Sequence, residues 1–260
     1  MMMPLSEIEQ QYPEQLRSFR SFLLREYLQY QMLQLLFTGP LADKFCFLGG
    51  TCLRIVHQNS RFSEDLDFDN HDLSEDDFDR VAAGIRKGLE QMGLEIEMEN
   101  VFRGAYHCYI KFPGLLYQTG LSGHREQKIL IQLDTENQGF EYTPEIKFIN
   151  KFDVFCSIPT TPADILLAQK FYTVFHRKQP KGRDFFDITF LMGKGIRPNY
   201  HFLKQKIDVS NPSDLREKIL AYCLNLDFEY LADDVRAFLF NPGEVRRVLL
   251  FTDFIKTAAL

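Results

Sequence analysis

The chain has 260 residues, of which 45% are hydrophobic and 25% charged, a globular composition that argues against disorder. Its net charge of −6 excludes the bulk attraction to nucleic acid that a basic protein has, so a polyanion needs a local basic patch or a metal ion. The five cysteines include no CxxC pair, which favours neither a zinc ribbon nor a disulfide framework. There is no signal-peptide pattern and no apolar run of membrane-spanning length, so we expect a soluble, cytoplasmic protein without a membrane partner.

The N-terminal part of the chain predicts a helix followed by a strand, a tight turn and a second helix. Apolar residues recur at helical spacing from Glu14 to Phe37, and Gly39 and Pro40 end this pattern. "FCFLGG" is a short apolar run that ends in a glycine pair. "TCLRIVHQ" then predicts one or two helical turns.

The middle of the chain predicts a mixed sheet crossed by a helix. "SEDLDFDN" alternates polar and apolar residues, which is typical of a strand. Ser74 is the expected N-cap of the next helix, which has acids in its first turn and ends at Gly93. Three further strands are predicted over residues 94–102, 105–113 and 128–136.

The remaining chain predicts only helices. Thr161 is the expected N-cap of a helix with Pro162 at its first position and Asp164 in its first turn. Further amphipathic segments follow to the C-terminus. We predict an α+β protein with a mixed β-sheet flanked by helices and a helical C-terminal region. The expected divisions are an N-terminal helical segment (1–40), an α/β core (41–156) and a helical domain (157–260).

The strand "SEDLDFDN" carries three aspartates with a spacing of two. Alternation places Asp65, Asp67 and Asp69 on one face, with neighbours about 6.6 Å apart. Like charges so close raise each other's pKa unless a cation neutralises them, so the pattern predicts a divalent metal. An EF-hand loop does not fit, because its sixth and twelfth positions would be Asn70 and Asp76. A solvated acidic edge strand is the alternative.

The residues upstream of these aspartates favour phosphate binding. Gly49 and Gly50 permit close approach of the backbone, and Thr51 starts a helix whose N–H groups can hold an anion. Arg54 and Arg61 add charge that matches phosphate oxygens. A phosphate-binding turn beside carboxylates suits a nucleoside triphosphate with Mg²⁺.

The stretch "LGGTCLRIVHQNSRFSEDLDF" resembles the first motif of the nucleotidyltransferase AbiEii/AbiGii toxin family, which is related to the MenT toxins within the polymerase-β-like nucleotidyltransferase superfamily. The matching positions are Gly49, Gly50, Thr51, Leu53, Arg54, Ser63, Asp65, Leu66 and Asp67. The resemblance implies a nucleotidyltransferase fold with Asp65 and Asp67 as catalytic metal ligands. It also implies that the nucleotide contacts Gly49, Gly50, Thr51, Arg54, Ser63 and Lys170.

Two later segments extend the resemblance. The superfamily has a third carboxylate on a neighbouring strand, which corresponds here to Asp134, although a surface acid at a strand end is the alternative. A family helix with a lysine and an R-D-x-x-D motif corresponds to Lys170, Asp184 and Asp187. Asp184 and Asp187 could orient Lys170 or position an attacking group, or could be a helix-start acid and an intrahelical pair. The basic residues from Arg177 to Arg183 could bind RNA or form a solvated loop.

The function implied by the resemblance is Mg²⁺-dependent transfer of a nucleoside monophosphate from a nucleoside triphosphate to an acceptor. The resemblance suggests RNA, such as tRNA, as this acceptor. The resemblance also implies the toxin of an AbiE-type toxin–antitoxin system active in phage defence, with a cognate antitoxin. A kinase-type phosphotransferase and a catalytically silent nucleotide-binding module are the alternatives.

Overall fold

The computed structural model describes all 260 residues, which form two compact units. The first unit contains residues 1–57 and 62–160, and the second contains residues 58–61 and 161–260. None of the helices combines the length and the apolarity needed to cross a bilayer.

The first unit is a seven-stranded mixed sheet with helices. Its helices are α1 (Leu5–Gln10), α2 (Arg20–Phe37), α3 (Gly49–Ile55), α4 (Glu75–Gln91) and α5 (Leu115–Gln118). Its strands are β1 (Phe45–Leu48), β2 (Leu66–Asn70), β3 (Glu97–Arg103), β4 (Ala105–Phe112), β5 (Ile129–Thr135), β6 (Glu145–Lys151) and β7 (Val154–Thr160). The sheet order is β3-β4-β5-β2-β1-β7-β6. The aspartate-bearing strand β2 therefore lies near the centre of the sheet, and its interpretation as an exposed edge strand is wrong.

The second unit consists mainly of helices, with one isolated β-bridge between Arg61 and Leu239. Its helices are α6 (Ala163–His176), α7 (Gly182–Gly193), α8 (Tyr200–Ile207), α9 (Pro212–Cys223), α10 (Phe228–Arg236), α11 (Arg246–Leu249) and α12 (Phe251–Thr257). Helix α7 is buried along most of its length, and its Phe185 ring contacts Phe228 and Phe251 edge-on. The predicted α+β class, with a mixed sheet followed by a helical region, is confirmed.

Strands β6 and β7 form a hairpin that the sequence patterns did not predict. The turn between them contains neither a glycine nor a proline, and Phe152 adopts a φ of 59° there. A left-handed conformation is unfavourable for an aromatic residue. The Phe152 ring packs against Tyr12, Tyr27 and Tyr30, and this burial offsets the backbone cost.

Three expectations about helix ends have different outcomes. The Ser74 N-cap is confirmed, because its hydroxyl accepts the Asp77 N–H in a capping box. The predicted Thr161 cap is wrong, because α6 begins at Ala163. Pro162, which has an extended ψ of 147°, takes the N-cap position. The helix expected from Glu14 is interrupted: a short 3₁₀ turn over Glu14–Leu16 precedes α2.

Candidate functional site

The glycine pair opens helix α3 directly after strand β1. Gly49 has a φ of 78°, which glycine adopts without steric cost. A β-carbon at this position would lie 2.1 Å from the Asp67 Oδ2 atom, so the backbone of Gly49 lies against that carboxylate. The buried Thr51 hydroxyl donates to the carbonyl of Asp65. The GGT sequence is thus bound to the aspartate segment by close packing and a hydrogen bond.

Two of the three predicted metal ligands lie opposite each other on neighbouring strands. Strands β2 and β5 are parallel, and Asp67 is the register partner of Asp134. Register partners project from the same face of a sheet. Asp65 lies just before β2 and accepts the backbone N–H of Gln132 through Oδ1 at 3.4 Å. The sheet therefore places Asp65 against β5, the strand that also carries Asp134.

Asp134 is held in place by two residues that the sequence did not single out. The Nδ1 atom of His107 lies 2.7 Å from Asp134 Oδ1, and the Gln132 side-chain amide donates to both carboxylate oxygens at 2.8 and 2.9 Å. His107 is the register partner of Asp134 on β4. Gln132 precedes Asp134 by two residues, so alternation could have placed it on this face, whereas His107 had no local signal.

Asp69 contributes to a different part of the structure. Only 2% of it is exposed, and its carboxylate accepts the Gln138 N–H at 2.8 Å and the Tyr142 hydroxyl at 2.9 Å. These bonds attach the segment after β5 to strand β2. Asp69 is therefore an anchor for this segment.

Arg54 belongs to a buried ion-pair cluster around Glu26. Its guanidinium donates to Glu26 at 2.7 and 3.1 Å, and Lys151 and the Tyr12 hydroxyl also contact this carboxylate. Burial alone would raise the pKa of Glu26, but Arg54 and Lys151 more than offset this and lower it. The cluster fixes α3 to α2. A direct role of Arg54 towards phosphate stays a prediction.

Ser63 lies in the segment that leads into β2. Its carbonyl and that of Glu64 accept the side-chain amide of the buried Gln29 at 3.2 and 2.9 Å. Gln29 thereby fixes the backbone before Asp65. The predicted contact of Ser63 with a nucleotide stays a prediction.

In the second unit, Lys170 lies between the two aspartates of the R-D-x-x-D motif. Its ammonium is 3.0 Å from Asp184 Oδ1 and 2.9 Å from Asp187 Oδ2. Burial tends to lower the pKa of Lys170, but Asp187 and then Asp184 outweigh this and raise it. Lys170 is therefore held protonated between the two aspartates. That they orient it towards a nucleotide stays a prediction.

Asp187 is also the partner of the segment between the glycine pair and β2. The fully buried Asp187 carboxylate accepts two bonds from the Arg61 guanidinium, at 2.8 and 2.7 Å, and one from the Asn59 amide at 2.8 Å. Burial would raise its pKa, yet Arg61 and Lys170 lower it to about 2. Arg61, considered for phosphate from sequence, is 2% exposed and serves this ion pair.

The basic stretch from Arg177 to Arg183, which extends into the first turn of α7, is partly neutralised by acids of its own unit. Arg177 lies 3.4 Å from Asp184, and Lys181 lies 3.3 Å from Asp234. The Arg183 guanidinium lies over the Phe238 ring at 4.6 Å. This stretch therefore carries less net positive charge than its sequence suggests.

Comparison with known proteins identifies the family. The model of the nucleotidyl transferase AbiEii toxin family, described as belonging to type IV toxin–antitoxin systems, matches residues 32–242. The chain belongs to this family. The resemblance inferred from the first motif is confirmed, and the chain is a nucleotidyltransferase of the AbiEii toxin family.

Two solved structures from Helicobacter pylori share the fold of this chain. JHP933 from Helicobacter pylori has a TM-score of 0.54 and 16% identity over 90% of this chain and 91% of its own. A candidate nucleotidyltransferase from H. pylori has the same TM-score and identity, over 90% and 94% of the two chains. An antigenic nucleotidyltransferase-like protein from Paracoccidioides brasiliensis has a TM-score of 0.44 and 14% identity, over 81% and 93%. No curated protein matches this AbiEii chain.

The metal that AbiEii membership implies can be tested against the side chains of the site. Mg²⁺ prefers carboxylate oxygens together with substrate phosphates, and Asp65, Asp67 and Asp134 offer carboxylates only. No group of three His, Cys, Asp or Glu side chains surrounds a common point in this chain. The carboxylate chemistry of these residues fits Mg²⁺, but the three side chains do not converge on one point in this structure. The third carboxylate, Asp134, is meanwhile hydrogen-bonded to His107 and Gln132.

Proposed function

We propose that this AbiEii-family enzyme transfers a nucleoside monophosphate from a nucleoside triphosphate to RNA in a Mg²⁺-dependent reaction. The observation that carries the proposal is the pairing of Asp67 with Asp134 on adjacent parallel strands, with the Gly49 backbone packed against Asp67. Carboxylates on one face beside a glycine turn suit a metal-bound triphosphate.

The residues of the sheet unit have separate roles in this proposal. Asp65, Asp67 and Asp134 would hold Mg²⁺, which, when bound, neutralises phosphate charge and lowers the pKa of an acceptor hydroxyl. The backbone N–H groups of Gly49 and Gly50 bind phosphate oxygens. His107 and Gln132 keep the Asp134 carboxylate in one orientation.

The hydroxyl-bearing and basic residues of the motif support the glycine turn at Gly49 and Gly50. Thr51 and Ser63 shape the backbone on either side of it through their hydrogen bonds to Asp65 and Gln29. Arg54 supports phosphate binding by fixing α3 through Glu26.

Lys170 supplies positive charge for the triphosphate. An ammonium has three N–H donors, and two of them are directed at Asp184 and Asp187. The two carboxylates keep this charge on Lys170 and restrict its orientation, which reduces the entropy lost when an anion binds.

A basic and aromatic surface in the helical unit supports RNA as the acceptor. A cavity of about 450 Å³ is lined by Phe175, His176, Lys206, Ile207, Lys218 and Tyr222. Lys218 donates to the Ile207 carbonyl at 3.0 Å, and its ammonium lies 5.4 Å from the centre of the Phe175 ring. Lysines beside aromatic rings are typical of sites for single-stranded RNA, in which the backbone contacts charge and a base stacks.

The biological setting is part of the proposal. We infer that the enzyme is the toxin of an AbiE-type toxin–antitoxin system, acts in the cytoplasm in phage defence and has a cognate antitoxin. The family assignment to type IV toxin–antitoxin systems supports this inference.

The decisive experiment incubates the full chain with RNA, Mg²⁺ and nucleoside triphosphates labelled at either the α- or the γ-phosphate. Nucleotidyl transfer moves the α-label to RNA, whereas a kinase-type reaction moves the γ-label. We expect α-label transfer that EDTA abolishes. Transfer of the γ-label, or of neither label, would contradict the proposal.

Matched variants connect this activity to the site. Asp67→Asn is expected to lower transfer by more than about 100-fold, because even partners behind metal ligands contribute 10–100-fold. Asp76→Asn, the same chemical change at an exposed position in the first turn of α4, is expected to retain activity. Circular dichroism verifies that both variants are folded. Equal activities would remove Asp67 from the mechanism.

A further inference from the structure

The outer face of the β6–β7 hairpin is apolar and open. Ile146, Phe148 and Phe155 are 62%, 68% and 65% exposed, and the two phenylalanine rings stack with centroids 5.8 Å apart. Alternate residues of the same strands, such as Ile149 and Ile158, are buried on the other face. The hairpin therefore has two apolar faces, of which one is uncovered. Clusters of exposed large apolar side chains typically mark interaction surfaces.

Strand β6 is also an edge of the sheet. As the last strand in the sheet order, it pairs with β7 on one side, and on the other side alternate N–H and C=O groups have no strand partner. The opposite edge, β3, carries Glu97, Glu99 and Arg103, and Glu97 binds Lys128. Charges of this kind prevent edge-to-edge association. Strand β6 also carries charges, Glu145 and Lys147, but its exposed face presents Ile146 and Phe148.

The charges of β6 indicate which strand would pair with this edge. Glu145 and Lys147 flank Ile146 and form an ion pair with each other at 2.7 Å, and their side chains are 45% and 41% exposed. In an antiparallel pair centred on Ile146, Glu145 of each strand lies opposite Lys147 of the other. The triplet Glu145-Ile146-Lys147 is therefore complementary to a second copy of itself. This is the symmetry that an isologous two-fold contact requires.

We propose that this chain forms a two-fold symmetric dimer through antiparallel pairing of the β6 edges of two copies. Main-chain hydrogen bonds join the two sheets. The two Ile146 side chains lie opposite each other across the junction with Phe148 of each copy beside them, which partly covers the apolar face. Two reciprocal Glu145–Lys147 pairs replace the pair within each strand and fix the register. The proposal does not depend on the chemistry of nucleotidyl transfer.

The test measures the mass of the full chain by sedimentation velocity over a wide concentration range, because dimerisation follows mass action. The expected species has twice the monomer mass of 30.5 kDa. Phe148→Lys is expected to give a monomer, since it places a charge in the apolar surface. Leu224→Lys alters a side chain that is 84% exposed in the helical unit and should leave the dimer intact. A monomeric wild-type chain at all concentrations, or a Phe148→Lys chain that dimerises like wild type, overturns the proposal.

A charge exchange tests the register and remains decisive if Phe148→Lys fails to fold. Glu145→Lys is expected to weaken dimerisation roughly tenfold, since both reciprocal pairs change from attraction to repulsion. Adding Lys147→Glu restores opposite charges across the junction and should restore dimerisation. A Glu145→Lys chain that dimerises as strongly as wild type, or a double variant no stronger than the single one, overturns the antiparallel pairing.

Discussion

Substitution of Asp187 by asparagine tests the buried ion pairs of the helical unit. The carboxylate is fully buried and contacts Arg61, Lys170 and Asn59 at 2.7 to 2.9 Å. Asp187→Asn leaves Arg61 buried without its counter-charge, whereas Lys170 keeps Asp184. Removing one partner of a buried ion pair generally costs about 3–5 kcal/mol. This cost is therefore a large fraction of the roughly 5–15 kcal/mol free energy of unfolding of a typical domain.

The pKa of Asp187 gives a second measure of this effect. It falls from 3.8 to about 2 on folding, and each unit corresponds to about 1.4 kcal/mol, so the charged form is favoured by ~2 kcal/mol. Because the pKa of Asp187 is lower in the folded protein than in the unfolded one, the stability that its charge contributes is fully present above about pH 4. It is lost as the pH falls from about 4 to about 2. We therefore expect Asp187→Asn to destabilise the protein by about 2–4 kcal/mol near pH 7, and by progressively less below pH 4.

Urea unfolding measures this difference. The chain has no tryptophan, so far-UV circular dichroism and tyrosine fluorescence are the signals, and coincident transitions justify a two-state free energy. The control is Asp233→Asn, which removes an exposed partner of Arg236 and should change stability by less than about 1 kcal/mol. A loss below about 1 kcal/mol for Asp187→Asn would refute the argument that this carboxylate neutralises the buried cations.

Three further predictions concern the sheet unit. Gly49→Ala places a β-carbon against the Asp67 carboxylate and is expected to lower nucleotidyl transfer at least tenfold, because it displaces an active-site group. The control is Gly84→Ala, since Gly84 lies in a helix with open space around it. This variant should retain activity and raise stability by about 0.5–1 kcal/mol in urea unfolding. His107→Phe removes a hydrogen bond to Asp134 and is expected to reduce transfer about 10–100-fold at saturating nucleotide while circular dichroism stays unchanged; undiminished transfer would contradict its positioning role. Ser74→Ala removes the N-cap of α4 and should cost about 1 kcal/mol, measured by urea unfolding, without affecting transfer.

The part of the site that is local in sequence was predictable. The glycine pair, Thr51 and the alternating aspartates lie within about twenty residues, and their spacing indicated a turn, a short helix and a strand. Asp134 was recognisable at the end of an apolar run. Its alignment with Asp67, however, depends on the pairing of two strands that are distant in the chain, and strand register is set by tertiary packing.

Other elements had no signal in the sequence. The sequence singled out Arg61 and Asp187 separately, but nothing in it indicated that they pair, because folding must first bring together residues 126 positions apart and bury both. The hairpin of β6 and β7 turns at Phe152, where turn chemistry would suggest glycine or asparagine, because tertiary packing of the ring overrides the local backbone preference. Non-local charge pairing and packing thus account for most of what sequence patterns did not predict.

The attachment of residues 58–61 to Asp187 has a consequence for biosynthesis. This segment connects the glycine turn to the aspartate strand, yet its main ion pair needs a residue translated 126 positions later. At about 5–20 residues per second, that interval is roughly 6–25 seconds. During this time the nascent chain carries Arg61 without its acidic partner. The segment between the two halves of the motif therefore acquires this contact only after Asp187 has emerged from the ribosome. The order of translation thereby delays completion of a toxin's motif until α6 and the first half of α7 have been made.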